Sequence, residues 1–188
     1  GEPINTEGHD ATVGISYDGQ HLFLFKDSRG GDIYESVLMG DVWSDPERLP
    51  KDINSKFHES SGCYSPDESA FYFVSDDPTK GYGKKDIYVS KRNKRGKWQE
   101  PRNIGAAINT PYDEEGVFML PDGRTLYFSS KGHNSMGGYD IFRSVMDENG
   151  NWSAPENLGY PINSPDDDVF FVVVASGKYG YMSANRPD

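Results

Sequence analysis

The chain has 188 residues with 30 acidic and 19 basic side chains, a net charge of −11 that opposes duplex DNA, RNA and anionic lipid surfaces as partners. Its longest apolar run, residues 169–175, is far shorter than the roughly 20 residues of a membrane-spanning helix, so the reading is no direct membrane insertion. A single cysteine, Cys63, excludes an internal disulfide and a cysteine-rich zinc site, and it reads as a buried structural thiol. β-Branched and aromatic residues outnumber good helix formers in nearly every apolar run, which makes the expected class all-β.

In chain order, a first unit opens on Ile4-Asn5-Thr6 and turns at Asp18-Gly19 before the strand-like run Leu22-Phe23-Leu24-Phe25. It continues through Asp32-Ile33-Tyr34 to Trp43 and Pro46, and on to Leu49. The second unit repeats the order: Ile53-Asn54-Ser55, Asp67-Glu68, Phe71-Tyr72-Phe73-Val74, Asp86-Ile87-Tyr88, then Trp98, Pro101 and Ile104. The third has Ile108-Asn109-Thr110, Asp122-Gly123, Leu126-Tyr127-Phe128, Asp140-Ile141-Phe142, then Trp152, Pro155 and Leu158. A fourth begins at Ile162-Asn163-Ser164, turns at Ser176-Gly177 and reaches Tyr181-Met182. The Asn residues are 49, 55 and 54 positions apart, and in every unit the turn comes 13 residues after the Asn.

Four short strands joined by tight turns, repeated every 50 or so residues, are the sequence form of a propeller blade. A helical solenoid is excluded by the absence of a 3.6-residue apolar period, and a sandwich has no reason to repeat itself. The expectation is one β-propeller domain, 1–188, of four-stranded antiparallel blades, with blade boundaries near 5–53, 54–108, 109–162 and a partial fourth blade at 163–188. About three and a half blades are spelled out. That predicts a slice of a larger ring, the alternative being closure of the last blade by upstream residues. The Trp-to-Pro stretches read as fourth, edge strands, where a proline removes no needed donor.

At Tyr64-Ser-Pro-Asp67 with Phe71-Tyr-Phe-Val-Ser-Asp76, and at Leu120-Pro-Asp-Gly123 with Thr125-Leu-Tyr-Phe-Ser-Ser130, the chain resembles the TolB-type, WD-like propeller repeat. The string Gly132-His-Asn-Ser-Met-Gly-Gly-Tyr-Asp-Ile-Phe142, followed by Trp152, Pro155, Asn157-Leu-Gly159 and Ile162-Asn163, is similar to the version found in Bacteroidetes envelope proteins. The resemblance spans essentially the whole chain. It implies a periplasmic, outer-membrane-associated protein of the OmpA family or the type IX secretion machinery, with envelope proteins as partners. Peptidoglycan contact in that family belongs to a separate OmpA-like domain rather than to these repeats. The family repeat carries no defined catalytic motif. Two positions depart from it: Tyr17 stands where the repeat has Pro, and Ser176 occupies the turn Asp position.

Two adjacent columns between the Asn and the first strand carry the candidate site. One is His9, His58, Asp113 and Asp167; the next, acidic in every unit, is Asp10, Glu59, Glu114 and Asp168. Rotation about a propeller axis places equivalent positions in a ring, so these side chains are expected at one mouth of the channel, binding a basic partner. An axial calcium or magnesium is the cofactor such oxygens would take, and the mixed column has zinc or iron ligand types. The reading taken is nevertheless no cofactor, with the carboxylates capping backbone donors at the strand entry or solvated, and the metal is its alternative. Asp32, Asp86 and Asp140 read as staples accepting turn N–H groups, and Trp43, Trp98 and Trp152 as packing residues. The second-to-third-strand loops, 77–85 and 131–139, carry Tyr82, His133, Met136 and Tyr139 and are the expected contact surface.

Nucleophile-elbow, zinc-protease, phosphate-loop and dinucleotide motifs do not occur. The function read from the sequence is a non-catalytic protein-binding or scaffold module. Its rivals are a glycosidase- or lactonase-type propeller enzyme with an axial metal and a propeller gating a peptidase. Carboxylates that recur in every blade have similar surroundings, whereas an acid and a base need unlike ones.

Overall fold

The computed structural model describes residue 4 and residues 8–27, 30–174 and 178–184. Asn5, Thr6 and the Ser176-Gly177 turn lie outside the described residues. No α-helix forms among the residues described. The described residues build four antiparallel sheets in sequence order. The first joins β1 (Asp10–Ile15), β2 (His21–Lys26) and β3 (Asp32–Met39). The second is β6 (Glu59–Tyr64), β7 (Ala70–Ser75), β8 (Asp86–Lys91) and β9 (Arg102–Asn103), and the third β10 (Glu114–Met119), β11 (Thr125–Ser130), β12 (Asp140–Val145) and β13 (Glu156–Asn157). β14 (Asp168–Val173) and β15 (Gly180–Ala184) form the fourth.

Tight turns make the first hairpins. Asp18 and Asp122 each accept backbone N–H groups two residues on, while Gly19 and Gly123 take φ of +71° and +67°. Those values suit a residue without a Cβ. Glu68 holds the same place in the second sheet at φ +54°.

The fourth strand departs from the expectation of one continuous element. In the first sheet it is two pieces, β4 (Val42–Trp43) and β5 (Glu47–Arg48), which pair with opposite ends of β3. In the next two, Trp98 and Trp152 make single bridges to Arg92 and Met146, and only two residues beyond the proline rejoin the ladder. Pro46, Pro101 and Pro155 supply no N–H, so pairing breaks there.

The first strands, β1, β6, β10 and β14, lie against one another, and the sheets fan out from that shared line. Each interior sheet is therefore covered on both faces, and all six residues of β6 and of β7 are buried. Alternation then divides the core. Phe71 and Phe73 join Phe23, Ile33 and Tyr64 between the first and second sheets, while Tyr72 and Val74 join Leu126, Phe128 and Phe142 between the second and third. Phe23 and Phe71 meet edge-on with centroids 5.1 Å apart. Each such fully buried ring contributes about 2–3 kcal/mol from area alone.

Cys63 belongs to the second of these cores at 4% exposure, and burial pushes its thiol up to about 12. In the folded protein near pH 8 the thiol is expected to resist an aromatic disulfide reagent, reacting only as the chain unfolds. Rapid stoichiometric labelling without denaturant would contradict that placement.

Candidate functional site

The recurring Ile-Asn-Ser/Thr element joins one sheet to the next. The Asn109 carboxamide accepts the Ile87 N–H at 2.8 Å and donates to the Ile87 carbonyl at 2.8 Å, reproducing a ladder rung with a side chain. Asn163 does the same to Ile141 at 2.7 and 2.9 Å, and Asn54 to Ile33 at 2.8 and 2.7 Å. Asn103 and Asn157 steady the clamps by accepting from Asn109 and Asn163. Backbone bonds run beside them: Glu59 N–H to Gly31, Glu114 N–H to Lys85, and Asp168 N–H to Tyr139.

This arrangement places the acidic column differently from the open channel mouth expected for it. Glu59, Glu114 and Asp168 are fully buried, and Asp10 is partly so. Each of the three accepts both the backbone N–H and the hydroxyl of the Ser or Thr four residues earlier: Ser55 at 2.9 and 2.8 Å, Thr110 at 3.0 and 2.7 Å, Ser164 at 2.6 and 2.8 Å. Ser75 and Ser130 donate to Glu59 and Glu114 from the neighbouring strand. Burial outweighs those bonds and raises both glutamates, Glu114 to about 7. The residues act as caps that close the entry to each first strand.

The mixed column is not brought together as a ligand set. His9 is exposed; the His58 ring leans on Phe25 at 5.2 Å; Asp113 lies 3.9 Å from the Lys131 ammonium; Asp167 accepts the Tyr139 N–H at 2.9 Å. Among the described residues, no three His, Cys, Asp or Glu side chains form an arrangement that could hold a metal ion.

Two of the three staple aspartates act as the sequence suggests. Asp86 accepts from Tyr82 and Gly83, and Asp140 from Met136. Asp32 instead holds the Arg48 guanidinium through both oxygens. One carboxylate went unnoticed in the sequence: Glu115, one residue past the acidic column, accepts from Ser60, Ser61 and Lys85 at 2.7–2.9 Å and ties the second sheet to the third. A bulge in β10 between Glu115 and Phe118 aims it there, and Gly116, at φ +59° inside the strand run, is the sequence signal that could have announced it.

The register pairs Glu59 with Ser75 and Ser75 with Asp86, so strand entries, loops and linkers all lie at one end of the sheets. Tyr82 and Met136 are 55% and 50% exposed there, with Tyr112 from the adjoining linker at 62%. Tyr139 is half-buried beneath the Lys131 ammonium at 4.4 Å, and the exposed His133 places Nε2 2.9 Å from the Ile108 carbonyl. Tyr112 escaped the sequence reading because a lone tyrosine among β-strands reads as core.

Close packing immobilises these loops. A Cβ on Gly83 would overlap the Tyr112 carbonyl, and one on Gly137 the Pro165 carbonyl. Gly137→Ala is expected to lower the unfolding free energy by roughly 2 kcal/mol in urea denaturation, since the obstacle is backbone. An unchanged midpoint would mean the loop yields freely.

No protein-family model and no curated protein sequence matches the chain. Among solved structures it superposes on TolB from Acinetobacter baumannii with a TM-score of 0.61 at 16% identity, covering 98% of this chain and 39% of that one. The putative TolB from Agrobacterium tumefaciens gives 0.55 at 18% identity, over 96% of this chain and 71% of that one. The fold is a TolB-like β-propeller. Hydrazine synthase from Kuenenia stuttgartiensis superposes at 0.50 and 14% identity, over 89% of this chain and 47% of that one. The TolB-like module thus spans about 39% of the length of the Acinetobacter protein.

Proposed function

We propose that the chain is a non-catalytic scaffold and protein-binding module of the bacterial cell envelope, periplasmic and associated with the outer membrane, and that it contacts its partner through the loop face. The carrying observation is that Tyr82, Tyr112 and Met136 are exposed on backbone that hydrogen bonds and glycine contacts hold in place. Large apolar side chains on a rigid frame bind with little loss of chain entropy. The buried caps support a role without chemistry, because their oxygens are engaged by hydroxyl and amide donors and their surroundings repeat from sheet to sheet. The placement in the envelope, and the link to OmpA-family or type IX secretion proteins, rests on the sequence resemblance.

Photo-crosslinking in cells tests this, with the reactive amino acid placed at Tyr82, Tyr112 or Met136, and at Tyr17 or Met39 on the opposite end as controls. Discrete adducts from the first set, in the envelope fraction, are expected. Equal labelling from both ends, or adducts confined to cytoplasmic proteins, would remove the reading.

A further inference from the structure

Away from the loop face, a groove of about 740 Å³ opens at the outer edge of the junction between the second and third sheets. Tyr72, Val89 and Ile104 line it from one side, Met146 and Trp152 from the other. Lys91, Arg102 and the Lys80–Glu100 ion pair form its rim.

Strand register allows a position-by-position comparison with the preceding junction. Phe23 pairs with Glu35 as Tyr72 pairs with Val89, and Glu35 pairs with Glu47 as Val89 pairs with Arg102. His21 pairs with Val37 as Ala70 pairs with Lys91, and Arg92 bridges Trp98 as Met146 bridges Trp152. In the first junction these positions plug the space. The Arg92 guanidinium lies 4.5 Å from the Trp98 ring, and Tyr64 Oη and His21 Nδ1 both meet Glu35 Oε1 at 2.9 Å. In the second junction Met146, Val89 and Ala70 replace Arg92, Glu35 and His21, and the space stands open. The rim changes sign as well: Glu47 and Val37 give way to Arg102 and Lys91.

We propose that this groove binds an extended acidic peptide segment of a partner protein, one that also carries apolar side chains. The groove lining carries three cations, Lys80, Lys91 and Arg102, against one carboxylate, Glu100, on a chain of net charge −11. Such a rim attracts acidic side chains and repels basic ones. Val89, Ile104 and the adaptable Met146 suit aliphatic or aromatic side chains. Trp152 meets Tyr72 edge-on at 78°, so the two rings do not form the flat platform that a sugar face requires. Pro101 removes an N–H from the sheet edge here, which makes side-chain pockets, rather than strand addition, the mode of contact. The exposed Gln99 amide supplies a donor and an acceptor for the peptide backbone.

The probe is a short acetylated peptide alternating Glu and Leu, titrated calorimetrically and by tryptophan fluorescence, beside its Lys/Leu counterpart and a polyuronate. Saturable binding of the acidic peptide alone is expected, weakening as salt rises from about 50 to about 500 mM. The exposed double variant Lys91→Glu with Arg102→Glu should weaken it by about tenfold or more while preserving the circular-dichroism spectrum. A second variant, Val89→Glu with Met146→Arg, gives the second junction the acid and the guanidinium of the first and should also weaken binding. Absence of saturable binding, equal affinity for the basic peptide, preference for the polyuronate, or indifference to the rim variant would each overturn the proposal. So would self-association that disappears in the rim variant, which would make a second copy the occupant. None of these outcomes bears on crosslinking from the loop face.

Discussion

Asn109→Ala is expected to lower the unfolding free energy by about 2–3 kcal/mol, more than an ordinary asparagine truncation, because it strands a buried N–H and removes two further hydrogen bonds. The Ile87 N–H loses its partner at a fully buried residue, the Ile87 carbonyl is left with the Ile104 N–H, and Asn103 Oδ1 with the Gly105 N–H. Water has no access to the buried Ile87 to replace the lost bond. Asn109→Asp offers no rescue, since a carboxylate would face the Ile87 carbonyl and Asn103 Oδ1, both acceptors. The measurement is the urea midpoint at constant m-value, and a loss under about 1 kcal/mol would show that the clamp is ornamental.

The second large effect is on pH. Glu114 is raised from 4.5 to about 7, chiefly by burial, against the bonds from Thr110 and Ser130. Folded chains therefore keep a proton that unfolded chains release between those two values. With more protons bound in the native state, stability falls as pH rises through that window and levels off above it. From about pH 5 to about pH 8 the loss attributable to Glu114 is roughly 2–3 kcal/mol. Glu59, raised for the same reason, adds in the same direction. Glu114→Gln fits the site without a charge: its carbonyl can accept the Thr110 N–H while its NH₂ donates to the Thr110 and Ser130 hydroxyls. The variant should unfold with a flatter pH profile and be more stable than the parent near pH 8. A parent whose stability rises between pH 5 and pH 8, unless its other titrating groups are shown to account for it, would refute the assignment.

Both predictions concern residues whose spacing was visible long before their chemistry. The recurrence of Asn54, Asn109 and Asn163 marks the period, yet each amide acts on an isoleucine 21 or 22 positions earlier, in the preceding sheet. Nothing local to Ile-Asn-Ser/Thr announces that partner. The acidic column was equally plain, and rotation about an axis suggested an open ring. The serine or threonine four residues back decided otherwise, by offering an amide and a hydroxyl that draw Glu59, Glu114 and Asp168 inward. For Asp86 and Asp140 the turn donors do lie nearby in sequence, and the staple role could be read directly.

Repetition alone thus determined the all-β class, the sheet order and the tight first turns, because strand period and turn chemistry are local and each unit restates them. Whether a repeated carboxylate faces water or a hydroxyl, and whether a junction is plugged by Arg92 or opened by Met146, only the tertiary structure decided. Those outcomes depend on side chains from two sheets meeting across a gap, and the width and polarity of that gap are properties of neither segment by itself.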